Sequence, residues 1–171
     1  MSEKISRDNI LWIANDHGGY GLKKELLAWL EDNGYSVVDC GCDSEAIVRY
    51  PFYAAKVAGA VGDGSVARGI LICSTGIGMS ITANKFPGVR AALCTDTYMA
   101  KMTRQHNDAN ILCLGGRTVG LFTAIDILET WLKTAYLGNR HAISLNLIER
   151  MEAYQFAHGD WKGEGGAEYP L

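Results

Sequence analysis

The sequence has no long apolar run and no excess of basic side chains. Its 171 residues include 16 basic and 19 acidic side chains, and the formal net charge is -3. This charge gives no broad attraction to a phosphate backbone or an anionic membrane, so neither nucleic acid nor a membrane is an expected partner. The first residues mix charges ahead of a short apolar run, unlike a secretory signal or a membrane anchor. We therefore expect an unexported, cytoplasmic protein.

The cysteine pattern disfavours two kinds of site. Five cysteines are an odd number, and a chain of this length needs no disulfide framework, so reduced thiols are expected. Cys40 and Cys42 are one residue apart, which is not the spacing of common zinc knuckles, and no HExxH helix occurs. No metal is therefore predicted. Cys94 and Cys113 fall inside apolar runs and are expected in the core.

Short apolar runs alternate with helical patterns along most of the chain. Runs that are apolar throughout are typical of parallel strands covered by helices on both faces. The predicted fold class is therefore α/β, a Rossmann-like three-layer αβα sandwich with a five-stranded parallel sheet. The predicted strands are residues 10–14, 36–39, 69–73, 89–94 and 111–114. The predicted helices are residues 22–32, a helix with Pro51 in its first turn, residues 79–86 and residues 119–136.

The chain is predicted to hold one domain and a tail. With 48% hydrophobic residues, the sequence can supply one sizeable core, which we place in residues 1–157. Residues 158–171 are rich in glycine and charge and offer too few apolar side chains to fold alone. We expect this tail to pack on a surface or on a partner subunit.

Polar side chains follow the first and last predicted strands. Ligands of parallel sheets bind outside the carboxyl ends of the strands, so these positions are site candidates. Asp16 and His17 follow the first strand together with two glycines that permit close approach of a ligand, although a helix start would also explain them. Arg117 follows the fifth strand and suits phosphate recognition, with a surface ion pair as the alternative.

The third predicted strand ends at Cys73, and a turn rich in hydroxyl groups and glycine follows it. The backbone N–H groups of such a turn converge on one point, where the dipole of the next helix adds positive potential that stabilises an anion or oxyanion. The thiolate of Cys73 can then act as a base or nucleophile, whereas a buried strand end is the alternative. The turn is a weak match to a dinucleotide fingerprint, because Ile81 stands where the third glycine belongs.

A polar segment, residues 103–110, precedes the last predicted strand. Its His106 can titrate near neutrality and serve as an acid or a base. A solvated loop is the alternative for a run of this polarity. Arg140 and His141, after the long predicted helix, are further basic candidates.

Taken in order, these motifs resemble the family of ribose-5-phosphate isomerase B and galactose-6-phosphate isomerase. The resemblance runs from about residue 10 to residue 154. It implies an aldose–ketose isomerase that acts on a phosphorylated sugar through an enediolate, with no metal or other cofactor. It also implies a homodimer or a dimer of dimers with shared active sites. The motifs that carry it are Asp16-His-Gly-Gly, Tyr50-Pro, Cys73-Ser-Thr-Gly-Ile-Gly, Ala83-Asn-Lys, Arg104-Gln-His-Asn-Asp and Gly138-Asn-Arg-His.

The resemblance also implies roles for individual residues. Cys73 matches the base that moves a proton between C1 and C2, and His106 matches the proton donor for ring opening. Asp16 matches a carboxylate near the sugar hydroxyls, and the turn that follows Cys73 matches the anion hole for the enediolate. The arginines match a phosphate clamp. The remaining expected catalytic and substrate-binding residues are Thr75, His17, Tyr50, Ser74, Gly76, Gly78, Asn107, Arg117 and Arg140.

Two positions depart from the family pattern. Ser74 stands where many members have glycine, and Ser144 stands where a second phosphate arginine often follows four residues after Arg140. A tetrose or hexose phosphate is therefore an alternative substrate. Two other hypotheses remain open, a nucleotide-binding domain that uses the turn after Cys73 and a sugar-phosphate sensor without catalysis.

Overall fold

A computed structural model of the protein describes residues 10–156, apart from the side chains of residues 154 and 156. The predicted tail, residues 158–171, lies outside this range. A short 3-10 turn at His17–Gly19 precedes the first helix. The strands are β1 (Ile10–Asn15), β2 (Ser36–Asp39), β3 (Arg68–Cys73), β4 (Ala91–Leu93) and β5 (Ile111–Gly115). The helices are α1 (Tyr20–Asp32), α2 (Tyr50–Gly62), α3 (Ile77–Ala83), α4 (Thr97–Asn107), α5 (Leu121–Lys133) and α6 (Arg140–Phe156).

The strands form one five-stranded parallel sheet in the order β2-β1-β3-β5-β4. The predicted α/β fold with a five-stranded parallel sheet is thus confirmed. The chain moves outward from β1 to β2 and then returns to β3 on the other side of β1. This reversal opens a crevice at the carboxyl ends of β1 and β3, which is where sheets of this type bind ligands.

Helices cover both faces of the sheet, because successive strand residues point to opposite sides. Ile70 and Ile72 of β3 belong to one core cluster with residues of α1, α4 and α5, and Trp131 is fully buried there. Leu71 and Cys73 belong to the other cluster, with residues of α2 and α3. No helix within residues 10–156 is both long and apolar enough to cross a membrane.

The fourth strand is shorter than predicted, Ala91–Leu93 instead of residues 89–94. Side-chain amides take the place of strand partners at its start. The N–H of Arg90 donates to Oδ1 of Asn110 at 2.7 Å, and the N–H of Ala91 donates to Oδ1 of Asn84 at 2.9 Å. Asn84 also caps the end of α3, so this helix stops short of its predicted end at residue 86.

Helix α4 is the main departure from the sequence-based interpretation. Part of residues 103–110 forms the last turns of this helix instead of a solvated loop. Asp96 caps the start of α4 by accepting from the N–H of Met99 at 2.8 Å, and Asp108 ends it with a left-handed φ of 44°. Because α4 begins beyond the carboxyl end of β4 and returns to the start of β5, its last residues lie at the amino edge of the sheet. Helix α6 likewise has no counterpart among the predicted helices.

Candidate active site

Cys73 ends β3 at the carboxyl edge of the sheet and is 5% exposed. Its Sγ accepts a hydrogen bond from the N–H of Gly76 at 3.1 Å. Gly76 has a φ of 76°, and a Cβ there would lie 2.5 Å from Cδ1 of Leu93. The position therefore requires glycine, and the turn brings a backbone donor to the sulfur as the sequence predicted.

Asp16 is a buried carboxylate directly after β1, with 5% exposure. Its Oδ1 accepts from the N–H of Gly18 at 2.9 Å, and its own N–H donates to the Ile72 carbonyl at 3.1 Å. A Cβ on Gly18 would collide with the side chain of Ser74. The turn that follows β1 therefore touches the turn that follows β3, which sets the carboxylate near the thiol.

The segment after β5 contacts both the turn that follows β1 and the turn that follows β3, so that three strand ends meet. The N–H of Gly116 donates to the Cys73 carbonyl at 2.8 Å, and the N–H of Arg117 donates to the Ser74 carbonyl at 3.0 Å. A Cβ on Gly116 would lie 2.7 Å from the Gly18 carbonyl oxygen. These backbone contacts place Arg117 beside the turn of residues 74–78, where the sequence predicts an anion hole.

The segment that joins β2 to α2 forms another wall of this site. The N–H of Val48 donates to Nδ1 of His17 at 3.3 Å, which leaves Nε2 of the neutral ring as the donor. The ring of Tyr50 lies over Gly78, where a Cβ would come within 2.7 Å of Cε2 of the tyrosine. Thus Asp16, His17, Tyr50, residues 73–78 and Arg117 all gather at the carboxyl edge.

The remaining predicted site residues lie at the opposite edge of the sheet. His106 and Asn107 end α4, and Arg140 begins α6. At about 3.3 Å per residue, the six residues of β3 separate the two edges by roughly 16 Å. Within one chain, His106 and Cys73 therefore lie at opposite edges of the sheet, and their meeting in one site stays a prediction that needs the shared active sites implied by the resemblance.

His106 is stacked on a second histidine. The rings of His106 and His141 are 4.1 Å apart between centroids and only 10° from parallel. The N–H of Leu137 donates to the Gln105 carbonyl at 3.1 Å, which fastens the start of α6 to the end of α4. Burial lowers the pKa of His141, and the charges of His106 and Arg140 lower it further.

Burial in the core favours the protonated thiol form of two other cysteines, Cys94 and Cys113. Burial raises the pKa of Cys94 to about 12, with a smaller contribution from Asp96. Burial also raises the pKa of Cys113 well above its usual value. Within residues 10–156, no three or more of the His, Cys, Asp and Glu side chains are grouped so as to hold a metal ion.

A cleft of about 570 Å³ opens at the amino edge, away from Cys73. Arg104 lines it and donates to the Ala109 carbonyl at 2.6 Å and to Asp108 at 2.9 Å. Arg90 donates to the Asn107 carbonyl at 3.0 Å and to the same carboxylate at 3.1 Å. These arginines neutralise the carbonyl end of α4, so their geometry is that of a helix cap.

Two buried polar residues near the site are not among the residues expected from the sequence. Asn15 is fully buried at the end of β1, and Lys23 is 3% exposed on α1. The sequence does indicate that both residues are buried, because Asn15 adjoins an apolar run and Lys23 shares a helical face with Leu26 and Leu30. Their contacts come from the segment after β2, which is distant in sequence.

Comparisons with known proteins agree with this geometry. Residues 11–148 match the family model described as ribose/galactose isomerase. The chain is 47% identical over 137 residues to ribose-5-phosphate isomerase B of Escherichia coli, covering 80% of this chain and 92% of that protein. It is 43% identical over 128 residues to 4-deoxy-4-sulfo-D-erythrose isomerase of a Clostridium species, covering 74% of this chain and 80% of that protein.

Among solved structures, the fold is similar to that of ribose-5-phosphate isomerase B from Clostridium thermocellum. The TM-score is 0.84 at 51% sequence identity, and the match covers 85% of this chain and 99% of that one. Sequence and structure therefore lead to the same group of proteins. The chain belongs to the ribose/galactose isomerase family.

Proposed function

We propose that this protein is an aldose–ketose isomerase that interconverts ribose 5-phosphate and ribulose 5-phosphate. The observation that carries the proposal is the thiol of Cys73 with a backbone donor from Gly76, at the same crevice of the sheet as the buried carboxylate of Asp16, whose N–H donates to the carbonyl of Ile72. Family membership supports the reaction class, since relatives in this family are named as sugar isomerases.

The reaction moves one proton between neighbouring carbons of the open-chain sugar. The thiolate of Cys73 removes the proton from C2 of the aldose, and the electron pair shifts to place negative charge on O1. Backbone N–H groups of residues 74–78 stabilise this enediolate, as donors aimed at a developing charge do. The O2 proton then passes to O1, and the thiol returns its proton to C1, which yields the ketose. In this proposal Asp16 and Thr75 hold the sugar hydroxyls.

A second copy of the chain completes the site in this proposal. His106 opens the sugar ring as a proton donor, yet in one chain it lies at the opposite edge of the sheet from Cys73, and β3 separates the two edges by roughly 16 Å. A homodimer, or a dimer of dimers, resolves this distance if the partner's His106 and the partner's Arg140 approach Cys73. The partner's Asn107 would then also reach this site, and the partner's Arg140 would supply its part of the phosphate clamp.

Exposed apolar side chains on α6 support such an assembly. They are 47% to 65% exposed, and large apolar patches of this kind mark protein interfaces. Helix α6 also carries Arg140, so covering its apolar face would carry the phosphate clamp toward a partner. The residues are Ile143, Leu147, Ile148 and Met151.

A different sugar phosphate is the second candidate substrate. Ser144 follows Arg140 by four residues and therefore shares its face of α6, where it offers a hydroxyl group and no charge. One missing charge-assisted contact weakens phosphate binding by about 1.5 to 3 kcal/mol. The similarity to an isomerase of a four-carbon sulfonated sugar also favours a tetrose phosphate over a hexose phosphate.

We place the reaction in the cytoplasm. All five cysteines are free, including Cys40 and Cys42, which are close in sequence. Unpaired thiols persist in a reducing compartment, and the proposed base itself must stay reduced.

The test is ketose formation from ribose 5-phosphate by purified protein without added metal. Cys73→Ala is expected to lower kcat by about 10³-fold or more, because the base is lost. Cys94→Ala is the matched control, since this thiol is 1% exposed and lies in the core, and it should stay within about threefold of the native enzyme.

Other outcomes separate the alternatives. Activity retained in Cys73→Ala would show that another group is the base. Faster turnover of a tetrose or hexose phosphate would favour the second candidate. Thermal stabilisation by sugar phosphates without turnover would indicate a sensor, and stabilisation by NAD or ATP alone would indicate a nucleotide-binding domain.

A further inference from the structure

Lys23 of α1 is a buried cation that the proposed reaction does not use. It is 3% exposed, and burying an ammonium group is costly unless its protons find partners. Its Nζ donates to Oδ2 of Asp39 at 2.8 Å and to the Cys42 carbonyl at 2.7 Å. The same nitrogen lies 5.5 Å from the centre of the Tyr20 ring. The cation is therefore fully engaged between α1 and the segment that follows β2.

Asp39 extends this connection toward the site. Its Oδ1 accepts from the N–H of Gly41 at 2.9 Å while Oδ2 is held by Lys23. Gly41 packs so closely on Asn15 that a Cβ would collide with the Asn15 side chain. The orientation of the Asp39 carboxylate thus fixes how the segment after β2 rests on the end of β1.

Asn15 completes the path to Asp16. Its Nδ2 donates to the Asp16 carbonyl at 2.8 Å and to Sγ of Cys42 at 3.2 Å. In return the N–H of Cys42 donates to the Asn15 carbonyl at 3.3 Å. Every step from Lys23 to the backbone of Asp16 is therefore a direct contact, and of these groups the Asp39 carboxylate is exposed to solvent while Lys23 and Asn15 are buried.

We propose that Lys23 is a positioning residue that holds Asp16 and the segment of residues 40–49 in place for the isomerisation. The proposal rests on the proposed function. The segment is fastened near its start by Lys23 and near its end by the bond from Val48 to His17. Substitution of Lys23 removes the hydrogen bond to the Cys42 carbonyl and allows the segment to shift. Small displacements of groups that orient a substrate lower the reaction rate by large factors.

A methionine substitution tests this role. Lys23→Met keeps most of the side-chain volume, and Asp39 stays solvated because its side chain is 39% exposed, so no unpaired charge is buried. We expect kcat to fall by about tenfold or more and KM to change by less than about threefold, because the change acts on the segment around Asp16 and leaves both arginines of the phosphate clamp, Arg117 and Arg140, unaltered. The readouts are kcat and KM with ribose 5-phosphate or the better substrate of the panel.

Lys24→Met is the matched control. Lys24 is the next residue on α1, is exposed, and its Nζ lies 4.9 Å from the centre of the same Tyr20 ring. The Lys24 variant therefore measures the effect of removing a positive charge from this helix without removing the buried contacts of Lys23. It should keep native kcat and KM. Asp39→Asn retains an acceptor for Gly41 but gives up the charge, and we expect a smaller fall in kcat of about two- to fivefold.

Hydrogen exchange separates failure of this inference from failure of the proposed function. In Lys23→Met the amide of Gly18, which bonds the Asp16 carboxylate, should exchange faster together with Gly41 and Cys42, whether or not the enzyme turns over sugar. Native kcat with unchanged Gly18 exchange in Lys23→Met would overturn the positioning role. If that variant does not fold, native kcat in Asp39→Asn would overturn it. Absence of turnover in the native protein would overturn the proposed function alone.

Discussion

The two edges of the sheet are built on different principles. At the carboxyl edge, glycines let three turns touch through backbone atoms, so Cys73 and Asp16 are set by the main chain. At the amino edge, arginine side chains bind the carbonyl end of α4 and the carboxylate of Asp108. Backbone contacts fix reacting atoms closely, whereas long side chains adapt to a neighbour. The first edge therefore suits the proton transfer and the second suits the binding of a partner.

In the proposed reaction, neither edge is a complete active site by itself. The carboxyl edge has the proposed base and the buried carboxylate, while the amino edge has the stacked imidazoles and Arg140. In the proposed reaction, the proton donor His106 and one arginine of the phosphate clamp, Arg140, stand on the ends of helices α4 and α6, while the other arginine, Arg117, lies at the carboxyl edge. In the proposed homodimer, joining unlike edges of two copies would supply each site with both sets.

The largest effect is expected when one chain of a dimer carries a substitution at the carboxyl edge and the other chain carries one at the amino edge. Cys73→Ala and His106→Ala homodimers should both be nearly inactive. After unfolding and refolding the two variants together in equal amounts, turnover should recover to about a quarter of the native rate, because half the dimers are mixed and each holds one intact site of two. The measurement is steady-state turnover before and after mixing.

Refolding each variant alone controls for partial recovery by other means. A mixture that stays inactive, although native gel or mass analysis shows mixed dimers, would place His106 and Cys73 in the same functional site of one chain. That result would contradict the division of labour between the edges.

A smaller effect is expected from filling one of the close backbone contacts. In Gly19→Ala the new Cβ would lie 2.5 Å from the Ile72 carbonyl oxygen, and backbone cannot yield as a flexible side chain does. We expect the free energy of unfolding to fall by about 2 to 4 kcal/mol. The measurement is denaturant-induced unfolding of the purified variant.

Gly21→Ala is the control for this substitution. Gly21 lies in α1, and a methyl group added there would meet nothing within 4 Å, so the same change should raise stability by about 0.5 to 1 kcal/mol through helix propensity. Equal effects at Gly19 and Gly21 would show that the carboxyl edge is more compliant than its contacts indicate.

The sequence is a good guide to the carboxyl edge and a poor one to the amino edge. The apolar run that ends at Cys73 and the glycines after it are local signals, and both the strand and the turn follow from them. Helix α4 has no comparable local signal, because it lacks a stripe of apolar residues along one face, and Ala100 is its only fully buried residue. Only Asp96, as an N-cap, signals its start, and without the helix the sequence shows His106 only as part of a polar segment before the last strand.

Lys23 shows a second limit of reading a sequence. Its helical spacing with Leu26 places it on the inner face of α1, but a lysine there does not reveal its partner. The partners, Asp39 and the Cys42 carbonyl, are brought to it by the pairing of β1 with β2. Contacts that depend on the order of strands in the sheet are set by tertiary structure.

The smallest effect concerns protonation at the amino edge. Because burial, His106 and Arg140 all lower the pKa of His141, the folded chain binds a proton there less readily than the unfolded chain, whose value is 6.5. Stability from this group is therefore fully present above pH 6.5 and declines as the pH falls through that value. NMR titration of the imidazole should give His141 a pKa below 6.5 that moves upward in Arg140→Gln. An unchanged pKa in that variant would show that Arg140 does not contribute, and that burial and His106 account for the lowered pKa of His141.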